Sequence, residues 1–264
     1  MAKTQKELAF LRDLYIGAEW TRRFTDLIDK HFDLSDSDDV LYINAGTGEH
    51  AFSLREKLDE KVAIFATCED EDMLQIAREK AAAIRSDVEF SMIRFEDEAF
   101  DSVIADASLT LTSGYVELVD ETVRVAKMGA NIGVLSVTSG SFGEIFSLLW
   151  EVLFNEDLGE HGRAAEQLIS EVPTVTMLKE IGRRAGLENV QTYTATEVFE
   201  FDDGAAFIGS PLVADFLLPV WLQALDDEDQ ERVKEKLSEL IDAEDGNLSF
   251  RFSIKATLLT GEKG

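Results

Sequence analysis

Asn44-Ala45-Gly46-Thr47-Gly48 follows the apolar run Val40–Ile43 and precedes a helical pattern. Gly46 and Gly48 allow the backbone angles and close approach that a tight strand-to-helix turn needs. The helix beyond offers unpaired N–H groups and the positive end of its dipole, so an anionic or carboxylate-bearing ligand fits there. A G-x-G pair also occurs where only packing requires it. This turn is not a P-loop, because no Gly-Lys-Ser/Thr follows, and it lacks the third glycine of a dinucleotide fingerprint. Asn44 can hold a left-handed backbone better than other non-glycine residues. Further on, Cys68-Glu69-Asp70 places two carboxylates behind the only cysteine, and Asp106 ends another apolar run. Cys68 has no basic neighbour in sequence to activate it, and is read either as lining a crevice or as a small buried residue.

The elements that must position these residues alternate. Positions 5–32 carry apolar residues at helical spacing, read as two helices or one broken near Gly17. Strands are expected at Val40–Ala45, Lys61–Cys68, Val88–Ile93, Asp101–Ala107 and Asn131–Thr138. Helices are expected at Glu49–Leu58, Glu71–Ile84 and Tyr115–Lys127, the last closed by Met128–Gly129. Strands apolar on both faces, alternating with amphipathic helices, predict a doubly wound, mostly parallel α/β sheet. Its ligand crevice lies beyond the carboxyl ends of the strands, where the strand order reverses.

After residue 140 the rhythm changes. Helices are expected at Phe142–Phe154, Leu158–Glu171, Thr174–Ala185 and Asp229–Ala243, and long strands at Val190–Phe201 and Leu248–Thr260. Residues 203–246 read as a helical insertion before the last strand. The whole, 1–264, reads as one domain: N-terminal helices to 37, a cofactor-binding half over 38–140, and a substrate or cap half over 141–264. Phe207–Leu225 fits either a lid or a homodimer surface.

The 264 residues carry a net charge of -28 and are 45% hydrophobic, which fits a folded, acidic protein. Such a field repels a phosphate backbone, so nucleic acid is not an expected partner. One cysteine excludes an internal disulfide and a cysteine-based zinc site. No segment reads as a signal peptide or a membrane span, and the chain is expected to be soluble and cytoplasmic.

VLYINAGTGEHAFSL resembles motif I of class I S-adenosylmethionine-dependent methyltransferases of the small-molecule (type 11, UbiE-like) kind. CEDEDMLQIAREKA is similar to that family's second-strand end and following helix. VEF and FEDEAFDSVIADASLTL resemble its third and fourth strands, and YVELVDETVRVAKMGANIGVLSV its helix and fifth strand. The match covers about residues 38–138. Tyr42 stands where the family commonly has an acid, and Asn44 replaces the first glycine. Cys68 aligns with the acid that usually holds the ribose, and a shift of one position brings Glu69 there. The segment after strand three is shortened to Met92-Ile93-Arg94-Phe95-Glu96.

The resemblance implies a Rossmann-like seven-stranded fold and S-adenosylmethionine as cofactor, held by Asn44, Ala45, Gly46, Thr47, Gly48, Cys68, Glu69, Asp70, Met73 and Asp106. It implies methyl transfer to a small, apolar or aromatic molecule. A non-catalytic binding or assembly module on the same fold is the alternative, and another nucleotide in the same crevice a third. No catalytic residue is assigned, because methyl transfer needs a base only when the acceptor must lose a proton. His161 reads as a base or a solvated residue, His50 as a partly exposed surface residue, and His31 as structural. Tyr15 and Trp20 are read as cofactor contacts or core. Phe142, Phe146, Trp150, Phe154, Phe207, Phe216, Leu217 and Trp221 are read as lining a substrate pocket or as the core of the cap.

Overall fold

The computed structural model describes residues 3–109, 114–162, 167, 170–245 and 249–264. The chain opens with uninterrupted helical backbone: α1 (Gln5–Leu11), a π-helical segment (Arg12–Thr21) and α2 (Arg22–His31). The expected break near Gly17 is instead this widened stretch. A β carbon on Gly17 would lie 2.1 Å from Glu49 Oε2, so only glycine lets that carboxylate rest against the helix.

The alternation follows: β1 (Asp39–Ile43), α3 (Glu49–Lys57), β2 (Ala63–Thr67), α4 (Glu71–Ile84), β3 (Glu89–Ser91), β4 (Phe100–Asp106), α5 (Tyr115–Val125) and β5 (Ala126–Thr138). Then come α6 (Gly143–Asn155), a 3-10 turn (Gly159–His161), α7 (Val175–Arg184) and β6 (Leu187–Phe201). The insertion holds α8 (Gly204–Gly209), a second π segment (Leu212–Leu217), α9 (Leu218–Trp221) and α10 (Asp227–Asp245), before β7 (Phe250–Lys263). The helix expected over Leu158–Glu171 lies largely outside the described residues.

The seven strands are ordered β3-β2-β1-β4-β5-β7-β6. The five from β3 to β5 pair in parallel. In β6 and β7 the partners Asn189–Glu262, Thr194–Thr257 and Glu200–Arg251 run in opposite directions, so this pair is antiparallel. The order reverses between β1 and β4. Leu41, Val103 and Val134 face a core completed by Val119 and Val123 of α5 and Leu178 of α7. A second expectation is corrected: α5 ends at Val125, and Met128–Gly129 lies within β5. Residues 127–130 form an irregularity there, since Phe100 pairs with Ala126 but Ser102 with Asn131. Gly129, at φ +76°, serves that irregularity and not a helix cap.

Two compact units share the chain. The first holds residues 1–137, 174–195 and 256–264, and the second 138–173 and 196–255. The aromatic residues of the second unit make a core. Phe142 and Phe146 lie 5.4 and 5.3 Å from Trp221, and Phe252 packs on Phe142, Phe199 and Phe207. Phe207, Leu212, Val213, Leu217, Leu218 and Trp221 are buried, so the segment read as lid or dimer surface spends these side chains on packing. Trp150 and Phe154 stay exposed. No helix among the described residues is long and apolar enough to cross a membrane.

A charge of -28 repels itself most in the folded state, where the carboxylates are closest. Raising KCl from 0.1 to 1 M shortens the screening length from about 10 Å to about 3 Å. The thermal midpoint is therefore expected to climb over that range. A flat or falling midpoint in a salt series would refute this.

Candidate functional site

The carboxyl ends of β1, β2 and β4 converge on the glycine turn. Asn44 adopts φ +58°, the left-handed backbone expected of it. Its N–H donates to Thr67 Oγ1 (3.2 Å) and its side-chain amide to the carbonyl of Asp106 (3.3 Å), tying β1 to both neighbours. Ala45 N–H donates to the Thr67 carbonyl at 2.8 Å. Gly46 and Gly48 have φ of +58° and +88°. Gly48 N–H donates to the Ala45 carbonyl, and Thr47 is buried beneath the turn.

Strand β2 ends at Thr67, and this decides which of the next three residues faces the turn. Cys68 is buried, and burial pushes its thiol up to about 12, which removes it as a nucleophile. Glu69 faces the turn: its Oε2 accepts from Gly46 N–H at 3.1 Å. Its Oε1 pairs with the Arg12 guanidinium. Burial and the neighbouring Asp106 push the Glu69 carboxyl up, and Arg12 pulls it down. Asp70 turns away and caps α4, accepting from Met73 N–H at 2.8 Å, and Met73 is buried. Asp106 is buried, and its Oδ1 accepts from Ser108 N–H at 2.8 Å. The structure thus brings Gly46, Glu69 and Asp106 together and leaves Asp70 as a cap.

The N-terminal helix covers this turn. Trp20 is fully buried and donates to Ser108 Oγ at 3.0 Å, so it is fixed core, while Tyr15 is exposed. Among the described residues, Arg12, Gly17 and Thr21 above and Ala45–Thr47, His50 and Asp106 below line a cavity of about 20 Å³, room for one water.

His50 overturns its reading as a surface residue. It is buried, with Nδ1 3.3 Å from the Tyr42 hydroxyl and Nε2 3.5 Å from Asp29 Oδ1. Asp29 also receives Lys57 at 2.6 Å. Tyr42, which replaces an acid, is wholly buried, and its hydroxyl is served by this chain of partners. Beyond His50 a cleft of about 330 Å³ opens among Arg22, Asp26, Asp29, Ser53 and Lys57. His31 stacks on Tyr193 at 4.1 Å, and His161 lies 3.7 Å from its neighbour Glu160 on the 3-10 turn.

The Asp29 carboxyl is held down at about 2, first by its hydrogen bond with His50 and then by Lys57, against burial. Its folded value lies below the roughly 3.9 of a free aspartate, so its stabilisation is complete above pH 4 and drains as pH falls toward 2. Asp29→Asn is expected to lose about 1 kcal/mol at pH 6 in urea titrations, and progressively less below pH 4. An equal loss at pH 6 and pH 3 would sink the assignment.

A profile of the ubiE/COQ5 methyltransferase family matches residues 13–199. The chain belongs to the ubiE/COQ5 methyltransferase family. Its curated relative, a demethylmenaquinone methyltransferase of Shouchella clausii, is 29% identical over 115 residues, covering 41% of this chain and 49% of the relative. The match thus spans about half the relative's length. The YcgJ protein of Bacillus subtilis shares the fold at 14% identity and a TM-score of 0.59, over 92% of this chain and 98% of that one. So does Haemonchus contortus phosphoethanolamine N-methyltransferase 2, solved with S-adenosylhomocysteine, at 12% identity and a TM-score of 0.56, over 98% of this chain and 58% of that one. The doubly wound sheet is therefore the Rossmann-like fold of S-adenosylmethionine-dependent methyltransferases.

The residues of this ubiE/COQ5 member fit the family's cofactor. Glu69 gives a carboxylate one position after Cys68, already accepting hydrogen bonds, as a ribose diol would require. Gly46 carries no β carbon, and the atoms nearest the place of one belong to the Arg12 side chain, not to the backbone. Arg12 and the Asp29–His50–Tyr42 chain escaped the reading by sequence. The signal for the second was present: a tyrosine in place of an acid, with a histidine two residues past the second glycine.

Proposed function

We propose that the protein binds S-adenosylmethionine across the carboxyl ends of β1, β2 and β4 and transfers its methyl group to a small, apolar or aromatic molecule. The observation that carries this reading is that Glu69, just past the end of β2, accepts from Gly46 N–H with its Oε2, which supports it as the ribose-binding acid in place of Cys68. The N–H groups at the start of α3, which no side chain caps, suit the cofactor's carboxylate. Asp106, buried at the end of β4, suits its ammonium group.

The cofactor would bring an electrophilic methyl group on a sulfonium sulfur. The protein's part is then to align the acceptor and keep water out, which needs no dedicated base. The acceptor class follows the curated relative, named for demethylmenaquinone. Calorimetric titration with S-adenosylmethionine and S-adenosylhomocysteine tests the first step, and micromolar binding of both is expected. No heat and no thermal shift with either would overturn the reading.

A further inference from the structure

The cavity that the described residues leave between Arg12 and the glycine turn is far too small for a nucleoside. It measures about 20 Å³, whereas ligand pockets commonly run to several hundred. Arg12, Gly17 and Thr21 of the N-terminal helices line it on one side, and Arg12 is the side chain that stands over Gly46. Arg12 Nε stands 3.4 Å from where a β carbon on Gly46 would be, and the same side chain pairs with Glu69. The two occupants of that carboxylate, Arg12 and Gly46 N–H, are both intramolecular. For a ribose to reach Glu69 across Gly46, the Arg12 side chain that stands there has to move aside.

We propose that Arg12 is a displaceable internal counter-ion: it holds Glu69 and shuts the groove in the free protein, and the cofactor exchanges it out. This rests on the function proposed above.

Three features make the exchange workable. First, Arg12 begins the π segment Arg12–Thr21, and π geometry is a rare winding that is frequent at functional sites. Second, the two ends of that segment are held unequally. Trp20, fully buried on Ser108, is a firm anchor. Asp13 is tied by a partly exposed ion pair with Lys80, the kind that opens at little cost. Ala9 and Ile16 on either side of Arg12 are fully buried as well, so the motion is a local swing of the Arg12 side chain and its turn while Trp20 stays in place. Third, the groove needs a positive charge. Glu69 and Asp106 repel one another there, and burial sharpens that repulsion. Arg12 supplies the cation in the free protein, and the ammonium group that S-adenosylmethionine and S-adenosylhomocysteine share supplies one when Arg12 leaves.

A closed state lowers apparent affinity by the fraction of molecules that are open. Removing the latch should therefore tighten binding, whereas removing a ligand contact would weaken it. The experiment is calorimetry and stopped-flow binding of S-adenosylhomocysteine to the unaltered protein, Arg12→Gln and Arg12→Lys. Deuterium exchange over residues 5–21 of the three free proteins accompanies it. Arg12→Gln is expected to bind about tenfold more tightly, mainly through faster association, with Arg12→Lys between the two. Its N-terminal helix should exchange faster in the free protein. Unchanged affinity with unchanged exchange overturns the latch, and weaker binding overturns it by making Arg12 a cofactor contact. Absence of binding to all three proteins overturns the function reading, and the exchange with it.

Discussion

Glu69→Ala is expected to lose roughly 100-fold in affinity for S-adenosylmethionine and S-adenosylhomocysteine. Two hydrogen bonds from a ribose diol to a carboxylate contribute roughly 4 kcal/mol together. Freeing Arg12 from Glu69 works in the other direction and returns about 1.4 kcal/mol, the equivalent of tenfold. The net loss of nearly 3 kcal/mol is the factor of about 100. The neighbours provide the controls. Cys68→Ala should bind as the unaltered protein does, because the thiol is buried and protonated. Asp70→Ala should lose about 1 kcal/mol of stability, since it removes the cap on Met73 N–H, with little change in affinity. Titration of the three variants side by side decides which residue holds the cofactor. Glu69→Ala binding within threefold of the unaltered protein would sink the assignment.

The ease of reading this fold from its sequence depended on how local each cause was. Helix α4 was legible to the residue, Glu71–Ile84, because its cap at Asp70 and its left-handed end at Arg85 are set by nearby backbone. The parallel strands were legible because β1 and β4 are apolar on both faces. The end of α5 was not. Gly129 with positive φ is an equally good signal for a helix cap and for a strand irregularity, and only the pairing of β4 with β5 separates the two. The first π segment was hidden for a related reason: apolar spacing reports a helical face but not whether the turn is widened.

The site shows the same division. Asn44 was legible as a left-handed residue from its type alone. Choosing among Cys68, Glu69 and Asp70 required knowing that β2 stops at Thr67, and a one-residue uncertainty in a strand end changes the answer. Arg12 lies 57 residues from Glu69, and Asp29 lies 21 from His50. Such pairs exist only once the N-terminal helix has packed, and no spacing in the sequence announces them.

The second large effect concerns the turn itself. Gly48 starts α3 at φ +88°, where any residue with a β carbon is strained by about 1–2 kcal/mol. That β carbon would also lie 2.5 Å from Phe90 Cζ and 3.1 Å from Phe52 Cε2. The two rings already pack on each other at 5.3 Å, so neither can yield without disturbing the other, at about 1–3 kcal/mol. Gly48→Ala is thus expected to lose about 3 kcal/mol in denaturant titrations. Gly46→Ala provides the contrast, because its β carbon would meet only the movable Arg12 side chain, at 3.4 Å or more. That variant should lose about 1 kcal/mol, from backbone strain alone. A Gly48→Ala protein as stable as Gly46→Ala would show that Phe90 moves freely. The turn would then owe its two glycines to the ligand they admit and not to the packing beneath them.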